Sequence, residues 1–458
     1  MKLFNTLTNQ IEEVSPQNPP EVKVYTCGPT VYDYMHIGNW FTFIRYDLLI
    51  RTLKASGFDP KWVINITDVG HLTSDADTGE DKLAKRAKSE GKTAWEIASF
   101  YTDYFKQGLV RLNFTQPWQM PKATDHIQGQ INFILGLEKK GYTYRTSDGI
   151  YYDTSKFPNY ASFAKLDLDE QQPGARIEPN PEKHNPSDFA LWKFSPSNVQ
   201  RDMEWDSPWG KGFPGWHIEC SAMCLRYLGE TLDIHSGGID HIPIHHTNEI
   251  AQSEALTGKP LAKIWMHTNH ILINGTKISK SLGNTVTLED IEAKGYTPET
   301  LRMLVLESHY RSQSKFDWNS LAASEARLLR YRNFAARMFQ AEPGGQEISP
   351  PDLLTVLQDD LNSPACLAVL ENWLDKAEVL SLSKKSIVGT INSIDNLLGL
   401  KLSEVLDIPE ELKQLIVQRE QARNKQDWTK ADQLRAELNQ HGITVLDRPS
   451  GPLWQYLA

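Results

Sequence analysis

Two apolar spacings alternate along the first part of the chain and predict its elements. In EVKVYTCG, Val22, Val24 and Thr26 alternate with Glu21, Lys23 and Tyr25, which is the period of a strand. Past a Gly-Pro turn, IGNWFTFIRYDLLIRTLKASG carries apolar residues at helical spacing and closes on a glycine. KWVINITD reads as a second strand, so the first hundred residues begin β-α-β, the unit of a parallel sheet. A polar stretch, TSDADTGEDKLAKRAKSEGK, then leads into amphipathic helix. Between residues 116 and 205 the text becomes turn-rich and strand-like (YTYRTSDGIYYD, PGARIEPNPEKHNPSD), which predicts an inserted module. Strand and helix signals resume at GWHIECSAMCLRYLG, TLDIHSGGID and HHTNEIAQSEALTG, so the insertion splits the sheet. Beyond 320 the pattern is helical, from SLAASEARLLRYRNFAARMFQ to a C-terminal helical hairpin that ends on a short strand, ITVL.

Composition narrows the function classes. At 458 residues the chain has room for about three domains. No apolar run is long enough to span a bilayer, and MKLFNTLTNQIEEV lacks the apolar core of a secretory signal, so a cytoplasmic protein without membrane contact is expected. Four cysteines make no disulfide framework and suit free-thiol or metal chemistry. A net charge of −10 argues against a general polyanion-coating protein but allows a local basic face.

Candidate chemistry concentrates in a few stretches. HIGN (36–39) opens the first predicted helix, whose N-terminal N–H groups favour phosphate. His36 and Asn39 supply donors, and Gly38 lets a flat ring lie on the backbone. Alone, the stretch reads first as a capped surface helix. KISKSLGN (277–284) sets Lys277 and Lys280 three apart among small residues, a cationic loop suited to a triphosphate or a solvated turn. In HHTNE, His245 and Glu249 would share a helix face. With Cys27 and Cys220 they make a donor set of the kind zinc prefers. Cys224 is the rival ligand, one turn from Cys220, and Cys366 reads as packing.

HIGN paired with KISKS resembles the class I aminoacyl-tRNA synthetases. The ordered series CGPTVYDYMHIGN, NITD, SPWGKGFPGWHIECSAM, HHTNEIAQSEA and KISKSLGN is similar to the cysteinyl-tRNA synthetase family, and the tail WTKADQLRAELNQHGITVLDRPSGPLW extends the likeness over nearly the whole chain. The resemblance implies a Rossmann-type sheet split by a connective module, then a helical bundle and a small anticodon-binding domain. The segments would be 1–115 and 206–270 for the split sheet, 116–205 for the insertion, 271–320 for the KISKS region, 321–400 for the bundle and 401–458 for the last domain. It implies zinc on Cys27, Cys220, His245 and Glu249, and a substrate pocket of Gly28, Thr67, Trp216 and His235. Asp240 would lie near the ATP ribose or the substrate amine, and Mg2+ would accompany ATP. The implied partners are cysteine, ATP and tRNA(Cys) with a GCA anticodon, and the expected state is a monomer. Two other readings are a cysteine ligase acting on a small amine and a non-catalytic paralogue. Arg327, Arg330, Arg332 and Arg337 would track tRNA phosphates or form an ordinary solvated face. Trp454 would stack on an anticodon base or pack. Asn269 stands where the family usually has glycine, and the loop VGHLTSDADTGEDK is longer than its commonest form.

Overall fold

A computed structural model describes residues 1–70, 81–160, 162–164, 180–195, 201–273, 275–277, 284–341, 343–448 and 451–457. Lys280, Ile278 and most of the VGHLTSDADTGEDK loop lie outside the described residues. The chain divides into two compact units, one of Met1–Ile271, Ile278–Leu288 and Tyr310–Gln313, the other of Leu272–Lys277, Glu289–His309 and Ser314–Ala458.

The first unit opens on a hairpin, β1 (Lys2–Asn5) and β2 (Gln10–Glu13), which the apolar pattern does not predict. The hairpin is followed by β3 (Glu21–Thr26), α1 (Ile37–Ala55) and β4 (Asp59–Ile64), the expected β-α-β unit, with Val24 of β3 opposite Trp62 of β4 in parallel register. Trp40, Phe41, Phe43, Ile44, Leu48 and Leu49 are all buried, so α1 is apolar around most of its circumference. That is the mark of an enclosed helix. Next come α2 (Lys82–Glu90) and α3 (Ala94–Arg111). Asp81 caps α2 by accepting from the N–H groups of Leu83 and Ala84, and Thr93 with Glu96 forms a capping box on α3.

The segment read as turns and strands in fact holds a full helix, α4 (Ile127–Lys139), with Ile127, Ile131 and Ile134 buried on one face. It precedes β5 (Thr143–Arg145), β6 (Gly149–Tyr152), β7 (Phe189–Phe194) and β8 (Gly212–Pro214), an antiparallel sheet in that order. The guanidinium of Arg201 lies over the Phe213 ring, 3.8 Å from its centroid. It donates to Gly70 O at 3.2 Å and pairs with Asp81, so it holds both residues that flank 71–80. The first unit closes with α5 (Trp216–Leu228), β9 (Leu232–Gly238), a π-helical turn at Ile242–His246, α6 (Thr247–Thr257) and β10 (Ala262–Thr268). The parallel sheet has the order β10-β9-β3-β4, and its core includes Tyr25, Val63, Ile218, Met223 and Trp265.

In the second unit β11 (Ile271–Ile273), β12 (Thr276–Lys277) and β13 (Ser314–Phe316) form a small sheet of order β12-β11-β13. Helices α7 (Leu288–Ala293), α8 (Pro298–Leu306), α9 (Trp318–Ala336), α10 (Leu353–Leu357), α11 (Ser363–Glu378) and α12 (Lys384–Leu398) follow. The chain ends in the expected helical hairpin, α13 (Glu410–Asn424) and α14 (Trp428–Gln440), and in β14 (Ile443–Arg448), which pairs antiparallel with β15 (Gly451–Tyr456). Trp454 is 5 % exposed in a core with Ala336, Ile416, Leu438 and Val445, so packing rather than base stacking is its role. Cys366 is likewise buried, in α11. Among the described residues no helix is long and apolar enough to cross a membrane.

Candidate metal centre and active site

Open parallel sheets take ligands outside the carboxyl ends of their strands, where the strand order reverses. Here the order reverses between β3 and β9. Cys27 leaves β3 at that point and His235 lies on β9, while α5 brings Cys220 and the π turn with α6 brings His245, His246 and Glu249. Single donor atoms of Cys27, Cys220 and His245 lie within 4.8 Å of one another, and so do those of Cys27, His235, His246 and Glu249. His245 Nε2 lies 3.6 Å from Glu249 Oε2, which links the two groups. The four residues singled out as ligands are therefore neighbours. His235, assigned to the substrate pocket, stands among them, as does His246, which the sequence reading passed over. Cys224 is fully buried in the hydrophobic core and belongs to neither group.

Burial dominates the electrostatics. Cys27 is 6 % exposed and Cys220, His235, His245, His246 and Glu249 no more than 1 %. Desolvation pushes the Cys27 thiol and the Glu249 carboxyl well up, and the Cys220 neighbour raises Cys27 further. At Cys220 the hydrogen bond with Cys27 pulls down, but burial and the Glu249 charge outweigh it and the thiol is raised. Desolvation brings His235 down to about 3 and holds His246 well below the usual imidazole range. Glu249 Oε1 is 3.3 Å from His235 Nε2. Oε2 makes no hydrogen bond among the described residues, although ring nitrogens of His235, His245 and His246 lie 3.2, 3.6 and 3.8 Å from it. Thiols, imidazoles and a carboxylate oxygen converge here in a dry site, and burial disfavours the charge each carboxylate or thiolate would carry unless a cation offsets it. That donor set fits zinc.

The residues expected in the pocket sit around this cluster. Gly28 N–H donates to Asn65 Oδ1 at 2.8 Å, and Asn65 Nδ2 donates to Thr67 Oγ1 at 2.9 Å. A Cβ on Gly28 would lie 1.6 Å from Asn65 O, so the close approach that requires glycine is to the chain leaving the neighbouring strand. Asn65 opens the NITD stretch, and no local pattern in the sequence marks it as a partner of Gly28. The Trp216 ring centroid lies 4.4 Å from that of His245, and the His235 ring stacks on Trp265 at 4.6 Å.

His36 caps α1, and Asn39 Oδ1 accepts from the His36 N–H at 3.1 Å, so Asn39 secures the HIGN turn through its oxygen. Ile37 N–H donates to Val286 O at 2.8 Å and His36 pairs with Thr287. The stretch that follows KISKSLGN thus returns onto the HIGN turn. Asp240 is exposed just past β9, with Oδ1 3.0 Å from His270 Nε2. Asn269 donates through Nδ2 to Arg311 O at 2.9 Å, and its carbonyl accepts from Arg45 at 2.9 Å. Lys277 ends β12, opposite Leu272.

The arginines of α9, and Arg337 just past its end, are engaged within their own unit. Arg327 pairs with Glu307 and Glu371, Arg330 with Glu371, Asp375 and Glu378, and Arg332 with Glu325 and Glu299. Arg337 donates to the carbonyls of Ala377 and Leu380. Ion pairing and capping account for the contacts these side chains make.

A split parallel sheet with this site defines a class, and comparison with known proteins agrees. Residues 13–326 match the model of the tRNA synthetases class I (C) catalytic domain, and residues 406–454 that of the cysteinyl-tRNA ligase anticodon binding domain. The fold is similar to that of Mycobacterium tuberculosis methionyl-tRNA synthetase in complex with methionyl-adenylate, with a TM-score of 0.59 over 85 % of this chain and 95 % of that one, at 13 % identity. Cysteine–tRNA ligase 1 of Burkholderia lata is 44 % identical over 98 % of this chain and 96 % of its own. Cysteine–tRNA ligase of Treponema denticola is 39 % identical over the full length of both. The chain belongs to the cysteine–tRNA ligases, a family of class I aminoacyl-tRNA synthetases. The match at 406–454 speaks against the small-amine ligase alternative.

Proposed function

We propose that this enzyme activates cysteine with ATP and transfers it to tRNA(Cys), and that Cys27, Cys220, His245 and Glu249 hold one zinc ion per chain. The observation that supports the reading is the buried cluster at the sheet's reversal point, where Cys27, Cys220 and His245 have neighbouring donor atoms and Glu249 lies 3.6 Å from His245. When bound, zinc favours a soft thiolate over a serine hydroxyl, a distinction of one atom that shape alone makes poorly.

The chain's own residues then position two reactants. Trp216, His235 and Thr67 line the amino-acid side. The α1 N-terminus with His36 and Asn39 faces the ATP phosphates, the backbone at Gly38 takes the purine, and Asp240 serves the ribose or the substrate amine. The cysteine carboxylate attacks the α-phosphate and pyrophosphate leaves, its charge offset by Lys277 and Lys280, with Mg2+ accompanying ATP. The terminal ribose hydroxyl of tRNA next attacks the adenylate carbonyl and AMP leaves. No side chain acts as a covalent nucleophile, so placement supplies most of the rate. The C-terminal domain reads the GCA anticodon, and the enzyme works as a cytoplasmic monomer.

Cysteine-dependent ATP–pyrophosphate exchange, followed by charging of tRNA transcripts, tests the reaction. Exchange without charging would overturn the tRNA assignment. Lys280→Ala should lower kcat for adenylation by about a hundredfold or more with little change in the KM for ATP. A change confined to that KM would make Lys280 a ground-state binder. X-ray absorption at the zinc edge should count two sulfur ligands. One sulfur with extra imidazole nitrogens would move the metal to the group of Cys27, His235, His246 and Glu249.

A further inference from the structure

A line of hydrogen bonds leaves the metal centre for the N-terminal hairpin. Cys27 Sγ lies 3.3 Å from His246 Nε2. His246 Nδ1 lies 2.7 Å from His267 Nε2, and His267 Nδ1 lies 2.8 Å from Thr6 Oγ1. Both rings are at most 5 % exposed, whereas Thr6 is half-buried. Thr6 is held independently: its N–H donates to Trp265 O at 2.9 Å. The adjacent Asn5 is tied to β10 on both sides, accepting from Trp265 N–H and donating to Lys263 O. The hairpin therefore delivers one hydroxyl to a fixed place behind His267.

We infer that Thr6 and His267 are positioning residues that set the tautomer of His246 and thereby the hydrogen bond received by the Cys27 sulfur. The inference rests on Cys27 being a zinc ligand. A ligating cysteine carries no proton, so the ring must be the donor in the Cys27–His246 bond. A neutral imidazole has one N–H, so with Nε2–H facing sulfur, His246 Nδ1 accepts. His267 then donates from Nε2 and accepts at Nδ1, and the Thr6 hydroxyl is the donor that ends the series. Every link has one direction. Without the hydroxyl, His267 is free to carry its proton on Nδ1, which presents a bare Nε2 to His246 and turns the whole series around. His246 then acts on the metal through Cys27 and is not itself a ligand.

Thr6→Val keeps the side chain's size and removes the donor. Zinc affinity, read by competition with a chromophoric chelator, should fall by about tenfold or more, the range known for outer partners of metal ligands. In the cobalt-loaded protein the thiolate-to-metal charge-transfer band should shift. Thr6→Ser, which restores the donor, should return both readings to the wild-type values. Thr6→Val with unchanged zinc affinity and an unchanged cobalt spectrum would overturn the inference, as would a Thr6→Ser protein as defective as the valine variant. A matched thermal transition of the metal-free wild-type and Thr6→Val proteins excludes misfolding as the cause, and His267→Gln gives a second route to the same loss. The wild-type sulfur count separates this inference from its foundation. One sulfur overturns the ligand assignment and with it the outer role of His246, whereas two sulfurs with an indifferent Thr6→Val overturn only the tautomer series.

Discussion

The carboxyl ends of β3 and β9 and the α9 face of the helical unit handle charge in opposite ways. At the first, two thiols, a carboxylate and three imidazoles are buried together, and one carboxylate oxygen lacks a hydrogen bond among the described residues. At the second, each arginine that the sequence marked for phosphate meets a carboxylate or a carbonyl of its own unit. Density of charge in a sequence is thus a poor guide to ligand binding. What marks a site is polar groups that converge, stay dry and leave something unsatisfied, because burial without compensation costs stability that only a bound partner restores.

The contrast breaks most readily at the sulfurs. Cys220→Ser should lower zinc affinity by more than about a hundredfold, beyond the range of outer partners, whereas Cys224→Ser should leave it near wild type. Equal losses in chelator competition would return Cys224 to the ligand set. Next in size is Gly28→Ala. A methyl group placed 1.6 Å from Asn65 O must push two chain segments apart, at a cost of about 3 kcal/mol in urea unfolding. A loss well under 1 kcal/mol would mean that the ends of β3 and β4 separate easily.

On the paired side, effects should be small and should follow pH. Arg419 donates to both oxygens of Asp447 at 2.7 and 2.9 Å, and those bonds hold the Asp447 carboxyl below the ordinary range. A depressed carboxylate contributes stability above its unfolded pKa, about 3.9, and loses it as pH falls through the folded value. Asp447→Asn should therefore cost at most about 1 kcal/mol at pH 7, since the partly exposed pair is screened by solvent. The difference from wild type should shrink as pH falls and the folded Asp447 carboxyl takes up its proton, and a gap that did not shrink with acid would point to packing instead. Smallest of all, Arg330→Ala should lower stability by under about 1 kcal/mol and leave the salt dependence of tRNA binding unchanged. A phosphate contact would instead reduce the salt slope by about one.

Much of this was legible in the sequence, for reasons that differ by element. β3, α1 and β4 declare themselves because alternation, helical spacing and closing turns agree. β1 and β2 do not, because strands of four residues with QIEE in one of them carry no apolar period. α4 was hidden by its surroundings: Ile127, Ile131 and Ile134 have helical spacing, but they stand inside a long turn-rich stretch. Of the site, His245 and Glu249 could be paired by their four-residue separation. His246 could not, since a neighbour in sequence points elsewhere on a helix, and here a π turn decides which histidine faces which partner. Asn65 and Thr6 act through bonds to residues 37 and 261 positions away, and no local pattern records those. The α9 arginines show the converse case, a basic motif most of whose acidic partners lie outside α9 and so outside the local pattern.

The hold of Arg201 on Gly70 and Asp81 bears on how much change in length the chain between them tolerates. A side chain from the neighbourhood of the inserted sheet fixes where residues 71–80 begin and end, and the same Asp81 caps α2. With both ends anchored, the separation that the intervening chain must span is constant whatever its length. Doubling that length then adds only about 0.6 kcal/mol of closure entropy. The length of this stretch can therefore change without disturbing α2 or the sheet.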